Sequence, residues 1–293
     1  MKEGVILTKS APTDKVVLRD ILERVYSRYN HRELIEPDPL QFVYRYSNPA
    51  DQEIAGFLAA ALAYGRVQQI EKSVADLLAR MGASPYEFVR GFDERSRRDL
   101  RDFKHRFTSG DDISDLLWLL GQVLAQYGSI EKFFAYCYNP DDSNTVSVLS
   151  RFCGLLCEMH AAENGGNVGR GLRYLLADPT RGSASKRLNL FLRWMVRSDD
   201  VDPGLWKSVE ATKLIVPVDV HMGRLARILG LHNRNTVSLA TALEITAGFA
   251  AIEPSDPVKY DFALSRIGIV DDCNGKYDPR CEVCELSGIC VGN

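Results

Sequence analysis

Four cysteines near the end of the chain are spaced for metal chemistry. Cys273, Cys281, Cys284 and Cys290 follow the pattern C-x7-C-x2-C-x5-C. Structural zinc usually draws on two close cysteine pairs, and this run holds one C-x2-C. A compact, asymmetric set of four thiolates suits a [4Fe–4S] cluster better, with zinc as the alternative. Lys276 and Arg280 lie between these cysteines, where they could face phosphate. Upstream, the stretch Leu214–Leu231 (LIVPVDVHMGRLARILGL) sets a lone carboxylate, Asp219, just after an apolar run ending at Pro217. A helix start follows, with Leu225, Ile228 and Leu229 on its apolar side and Gly230 suited to its C-terminus. Taken alone, Asp219 reads as an N-cap, held charged by unpaired helix N–H groups.

The elements that must carry these residues read as helical nearly throughout. At 293 residues the chain is long enough for two lobes. It is 45% hydrophobic and 26% charged, as soluble globular proteins are, and its net charge of −3 gives no global pull toward nucleic acid or membrane. The distribution says more. Residues 179–234 hold ten Lys/Arg against five Asp/Glu, whereas 235–293 hold four against nine. A basic segment inside an acidic chain suits a local anion site, or simply a solvated face. The first fifteen residues lack the apolar core of an export signal, and the longest apolar run, Ile54–Tyr64, is too short to span a bilayer. A cytoplasmic protein with reduced cysteines is expected.

Residues 14–30 place Leu18, Ile21, Leu22, Val25 and Tyr29 on one helical face. Asn48-Pro49 is an N-cap followed by proline at the first helical position, opening a buried Ala-rich helix. Further helices are expected over VQQIEKSVADLLARMG, Asp111–Tyr127 and Thr145–His160, and the charge-dense 90–107 reads as a solvated helix edge. Cys153 and Cys157 read as plain buried cysteines, Cys137 has no local partner, and the glycine-rich Glu163–Gly171 is a connection. Trp194 and Trp206 suit either a base pocket or the core. No alternating strands stand out, so the expected class is all-α.

Together these motifs resemble the endonuclease III-type DNA glycosylases of the helix-hairpin-helix–Gly/Pro–Asp superfamily. VPVDVHMGRLARILGL is similar to that family's V-D-x-H-V-x-R-v-x-x-R-L-g-L at Asp219, His221, Arg224, Arg227 and Leu231. The family's cysteine loop is C-x6-C-x2-C-x5-C, one residue shorter in its first gap. Its hairpin, L-P-G-V-G-x-K-T-A, has its nearest counterpart in TRGSASKRLN. There Gly182 and Ala184 take the glycine places, Ser183 and Ser185 flank them, Lys186 takes the lysine place and Arg187 opens the second helix. GSASK, DPVKYDFAL and the long gap from Lys186 to Asp219 look closer to the archaeal 8-oxoguanine glycosylases, which lack the cysteines. The mixture resembles a divergent bacterial branch of the superfamily. LAAALAYGR is similar to the family helix ending in S-A-Q-x-T, with Tyr64 at the glutamine's place.

The resemblance implies a two-lobed, all-helical glycosylase fold with a C-terminal [4Fe–4S] loop. One lobe, 48–198, would be a six-helix barrel-like unit ending in a degenerate hairpin. The other would join 1–47 to 199–293 and carry the loop at 273–290. Lys186 would attack C1′ of a flipped nucleoside and expel the base, Asp219 would take the amine proton, and a Schiff base would permit β-elimination. Gly182, Ser183, Ala184, Ser185, Arg187, His221 and Arg224 would contact DNA, and Tyr64 would stack between bases. The implied partner is duplex DNA with a damaged base or abasic site, met by a nucleoid-associated monomer with no membrane contact. A protein that binds DNA or RNA without excision, and an iron–sulfur redox sensor, are the alternatives from other classes.

Overall fold

A computed structural model describes residues 14–269, 273, 276–277 and 279–290. The expectations for residues 1–13, and for 274–275 and 278 of the cysteine loop, lie outside the described residues.

The chain is built from helices, as the periodicity predicts: α1 (Lys15–Tyr29), α2 (Pro49–Ala61), α3 (Val67–Met81), α4 (Pro85–Arg90) and α5 (Glu94–Asp99) come first. A two-stranded hairpin, β1 (Lys104–His105) and β2 (Thr108–Ser109), leads into α6 (Gly110–Tyr127), α7 (Ile130–Cys137), α8 (Val146–Glu163) and α9 (Arg170–Leu175). Then follow α10 (Lys186–Val196), α11 (Val220–Ile228), α12 (Leu239–Ala250) and α13 (Asp261–Ile269), with a 3₁₀ turn at Pro279–Val283. Among the described residues no helix is long and apolar enough to cross a membrane.

Local sequence explains most of these boundaries. Asp14 caps α1, its side chain accepting from Val16 N–H, and Leu18, Ile21, Leu22, Val25 and Tyr29 form the buried stripe that packs on α13. Asn48 caps α2 by accepting from Ala50 N–H at 3.0 Å, and Pro49 fills the first position, where no amide bond is lost. The small residues of α2 let α10 approach closely: a Cβ on Gly56 would meet the Met195 side chain at 3.0 Å. A capping box at Ser109 and Asp112 opens α6, whose leucines are buried.

One segment departs from the expected solvated helix edge. After the short α5, the chain turns back on itself, pairing Lys104 with Ser109 and His105 with Thr108. Arg106 sits at φ 55 in the left-handed region, so the reversal is made by a residue type that seldom adopts it. Buried His105 and Thr108 provide the compensation: His105 bonds Ser73 Oγ at 2.9 Å through Nδ1 and the Tyr64 carbonyl at 3.0 Å through Nε2.

Charge is also buried. Arg193 in α10 and Arg197 just after it are 2% and 5% exposed and meet Asp202, Asp261, Asp199 and Asp256 at 2.5–3.2 Å. This network ties α10 to the 199–202 loop and to α13. Trp194 and Trp206 are core residues rather than walls of a base pocket. Both are buried, and Trp206 Nε1 donates to Glu53 Oε1 at 2.7 Å.

Candidate active site

Lys186 and Asp219 are 33 residues apart in sequence, yet their side chains meet: Nζ lies 2.9 Å from Oδ2. Each is placed by a helix start. Asp219 is the N-cap of α11, where its Oδ1 accepts from Met222 N–H at 2.9 Å, leaving Oδ2 for the lysine. Lys186 is the first residue of α10. Ser185 before it takes φ 45, a left-handed conformation that turns the chain sharply into the helix. Gly182, at φ 92, makes the preceding turn, where glycine pays no steric penalty.

The pair lies in the wall of a cavity of about 470 Å³, a size suited to a small organic group. Tyr64 and Tyr174 contribute aromatic wall, Ser183 to Arg187 form the turn, and Val220 and Val237 complete an apolar side. Lys186 and Asp219 are 34% and 36% exposed, so both are reachable from solvent. Burial is the largest single influence on Asp219 and works to raise its pKa. The Lys186 ammonium, the Met222 N–H and His221 outweigh it and hold the carboxyl below the ordinary aspartate value. Asp219 is therefore an ionised carboxylate facing the Lys186 ammonium.

The structure gathers most of the residues singled out from sequence and gives several of them other work. Lys186, Asp219, Tyr64, Ser183, Ala184, Ser185 and Arg187 all line this cavity. Arg187 is a strut: its guanidinium donates to the carbonyls of Ala61 (2.8 Å) and Tyr174 and lies 4.2 Å from the Tyr174 ring centre. Ala184 is buried, and its carbonyl accepts from Asn189 Nδ2 at 3.0 Å. Gly182 lies outside the lining and its carbonyl accepts from Leu239 N–H at 3.0 Å. His221 is exposed beyond the cavity, its Nδ1 3.0 Å from Arg224 Nη2. Arg224 Nη2 also donates to the Cys273 carbonyl at 2.9 Å, which joins the Asp219 helix to the first cysteine.

Tyr64 is half-buried. Its hydroxyl makes a 2.6 Å bond with Thr108 Oγ1 and donates to the His105 carbonyl at 3.0 Å. Periodicity passed over two further rings. Tyr174 on α9 packs edge-on to Tyr64, and Phe107, at the hairpin tip, stacks on it. A pair of aromatics flanking a lysine-bearing turn carries no spacing signature, because the residues come from three distant segments.

Cys273, Cys281, Cys284 and Cys290 are all partly buried. Leu286 is buried beneath them, and its N–H points at Cys284 Sγ at 3.4 Å. Cys137 and Cys153 are buried and Cys157 is partly so, in keeping with structural cysteines; burial pushes the Cys137 thiol up to about 11.

Fold and site define an all-helical protein whose cavity pairs a lysine with an ionised aspartate. Residues 38–270 match the family described as "Protein of unknown function (DUF2400)", and the chain belongs to that family. No curated protein and no solved structure matches it. This corrects the resemblance to the helix-hairpin-helix–Gly/Pro–Asp glycosylases, including their archaeal 8-oxoguanine branch, since the family shown is a different one. Outside the cysteine loop, the likeness rested on short motifs that helix termini produce by themselves. Asp219 caps α11, Gly230 ends it at φ 74, and Lys186 opens α10 after a tight turn. The match contains Lys186 and Asp219 and ends before Cys273.

Proposed function

We propose that the protein is a base-excision DNA glycosylase with lyase activity, acting on duplex DNA that carries a damaged base or an abasic site. The observation that carries this reading is the 2.9 Å approach of Lys186 Nζ to Asp219 Oδ2 in the wall of an aromatic-sided cavity large enough for a nucleobase. An amine, a proton acceptor and flat apolar walls are what attack on C1′ of an extruded nucleoside requires.

In this mechanism Asp219 Oδ2 takes a proton from Lys186, and the free amine forms a bond to C1′. The C1′–N bond breaks, and its electron pair leaves with the base, which takes the proton that the alkylated Nζ releases. Asp219 then returns its proton to O4′ as the C1′–O4′ bond opens, leaving an iminium on Nζ. Loss of a proton from C2′ expels the 3′ phosphate and cuts the strand. Asp219 in its carboxylate form also stabilises the positive charge that develops on the sugar. The 34% and 36% exposures leave the pair open to a substrate entering from solvent.

The proposed scaffold is the two-lobed helical arrangement, 48–198 against 1–47 with 199–293, with DNA across the join where α10 meets α11. The four-cysteine loop is proposed to hold a [4Fe–4S] cluster. A tetrahedral zinc cage would draw its sulfurs to about 3.8 Å from one another. The single C-x2-C in this run gives one close pair for such a cage, where structural zinc usually draws on two. The Leu286 N–H aimed at Cys284 Sγ also suits a cluster thiolate. Once bound, the cluster would crosslink the loop, and Arg224 would pass that order on to the Asp219 helix. Anaerobically purified protein is expected to carry about four irons per chain and to lose them in Cys284→Ser.

The test of the activity is base release from duplexes bearing 8-oxoguanine, oxidised pyrimidines or uracil. Release by the wild type on at least one of them, abolished in Asp219→Asn with the fold intact, supports the proposal. Binding of DNA without release on any duplex would instead favour a binding protein.

A further inference from the structure

A ring beside the cavity points to how the protein would hold DNA open, and this rests on the nucleic-acid reading above. Phe107 is 59% exposed. Its exposure does not come with freedom. The ring stacks on Tyr64 at 5.1 Å between centres and 27° between planes, and meets Tyr174 edge-on at 4.7 Å. Both tyrosines line the cavity, so the free face of Phe107 stands one ring away from it.

The hairpin that carries Phe107 is pinned from below. His105 bonds Ser73 and the Tyr64 carbonyl, and Thr108 bonds the Tyr64 hydroxyl. The turn itself leaves the aromatic at the tip, because Arg106 adopts φ 55 and reverses the chain immediately before it. At Gly65, with φ 103, an added Cβ would come within 2.8 Å of the Arg106 side chain, so the glycine leaves that side chain room to lie against it. The surroundings are basic: Arg66, Lys104 and Arg106 are all exposed, and the Arg106 guanidinium lies 5.9 Å from the Phe107 ring centre.

We infer that Phe107 is the residue that stacks on an unpaired DNA base beside the Lys186–Asp219 cavity, with Tyr64 and Tyr174 as its rigid backing. A flat apolar face on a hairpin that also carries the exposed Lys104 and Arg106 matches a base attached to a phosphodiester strand, since base–aromatic stacking is tolerant of sequence and the charge tracks the backbone. This assigns to Phe107 the stacking expected of Tyr64. Tyr64 would have to break its bonds to Thr108 and the His105 carbonyl to enter a helix, whereas Phe107 breaks nothing. Preorganisation also favours it: the ring is already held in one orientation, so little side-chain entropy is lost on contact.

The test compares binding of the full chain to two duplexes by fluorescence anisotropy: one intact, one carrying a tetrahydrofuran abasic analogue that exposes an unpaired base. Phe107→Ala is expected to weaken binding to the abasic duplex at least about five-fold and to change binding to the intact duplex less than about two-fold. Phe107→Trp is expected to restore the difference, which a structural role would not. Loss on both duplexes equally, or no loss in Phe107→Ala while the wild type binds, would overturn the stacking role and leave the DNA reading standing. Failure of the wild type to bind either duplex would overturn both.

Discussion

Two places in this molecule bring basic side chains against carboxylates, and they differ in almost every respect that matters. On one flank of α10, Arg193 and Arg197 are shared among Asp199, Asp202, Asp256 and Asp261, with every pair buried to some degree and two of the carboxylates almost fully so. At the start of the same helix, Lys186 meets Asp219 alone, and about a third of each side chain faces solvent in a cavity wall. The first arrangement uses its charges to join elements: removing any member strands a buried charge. The second leaves capacity over. Lysine carries three donors, and Asp219 spends one oxygen on capping α11, so the pair keeps donors and lone pairs for a further partner. One helix thus holds a closed network near its end and, in the proposed function, the nucleophile at its start.

Several substitutions sharpen that contrast. Largest in effect, Asp219→Asn should lower base release by about 10³-fold or more, as measured in single-turnover assays. Asparagine still caps α11, so thermal unfolding should hardly move. Asp219→Ala should lose the same activity and about 1 kcal/mol of stability besides. Arg193→Met works the other way. It strands Asp261 in the interior, leaves Asp202 with Arg197 alone, and should cost about 3–5 kcal/mol in urea unfolding, with activity per folded molecule retained. A variant that keeps its stability would mean the network is not the clamp described here.

Acid should separate the two regions next. Burial, the largest influence on Asp199, works to raise its pKa. It is outweighed by Arg197, the Val201 and Asp202 N–H groups and the Tyr26 hydroxyl, which together bring it down to about 2. A carboxyl lowered in the folded state stabilises the fold above its unfolded pKa, and that contribution is lost as pH falls through the folded value. Between about pH 4 and 2, then, roughly 2 kcal/mol should disappear. Asp199→Asn should flatten that part of the stability–pH curve. The smallest expected effect on stability is that of Phe107→Ala, within about 0.5 kcal/mol by thermal denaturation, because the ring lies mostly on the surface.

Much of the fold was legible because its signals are local. Asn48 with Pro49, and Asp219, each announce a helix start, and the stripe from Leu18 to Tyr29 announces a buried face. The hairpin at 104–109 was not legible. Arg106-Phe107 contains none of the residues that favour a left-handed turn, and the turn is held by His105 and Thr108 reaching α3 and the end of α2. The meeting of Lys186 with Asp219 lies between these cases. Each residue marks a helix start, but nothing periodic says that the two starts converge. The likeness that brought them together belonged to a family other than the one the chain is in. Tyr64 lies just past the end of α2, and nothing in its spacing announces the bonds of its hydroxyl to Thr108 and the His105 carbonyl. Trp194 and Trp206 show the usual ambiguity of large aromatics, settled here by burial.

The most direct test of the central claim is borohydride trapping of the full-length protein on duplexes bearing an abasic site or a damaged base, followed by peptide mapping of the adduct. The account predicts a covalent protein–DNA product attached through Lys186 and missing in Lys186→Gln. An adduct mapped to another amine would contradict it. So would the absence of any adduct from a folded, DNA-binding wild-type protein.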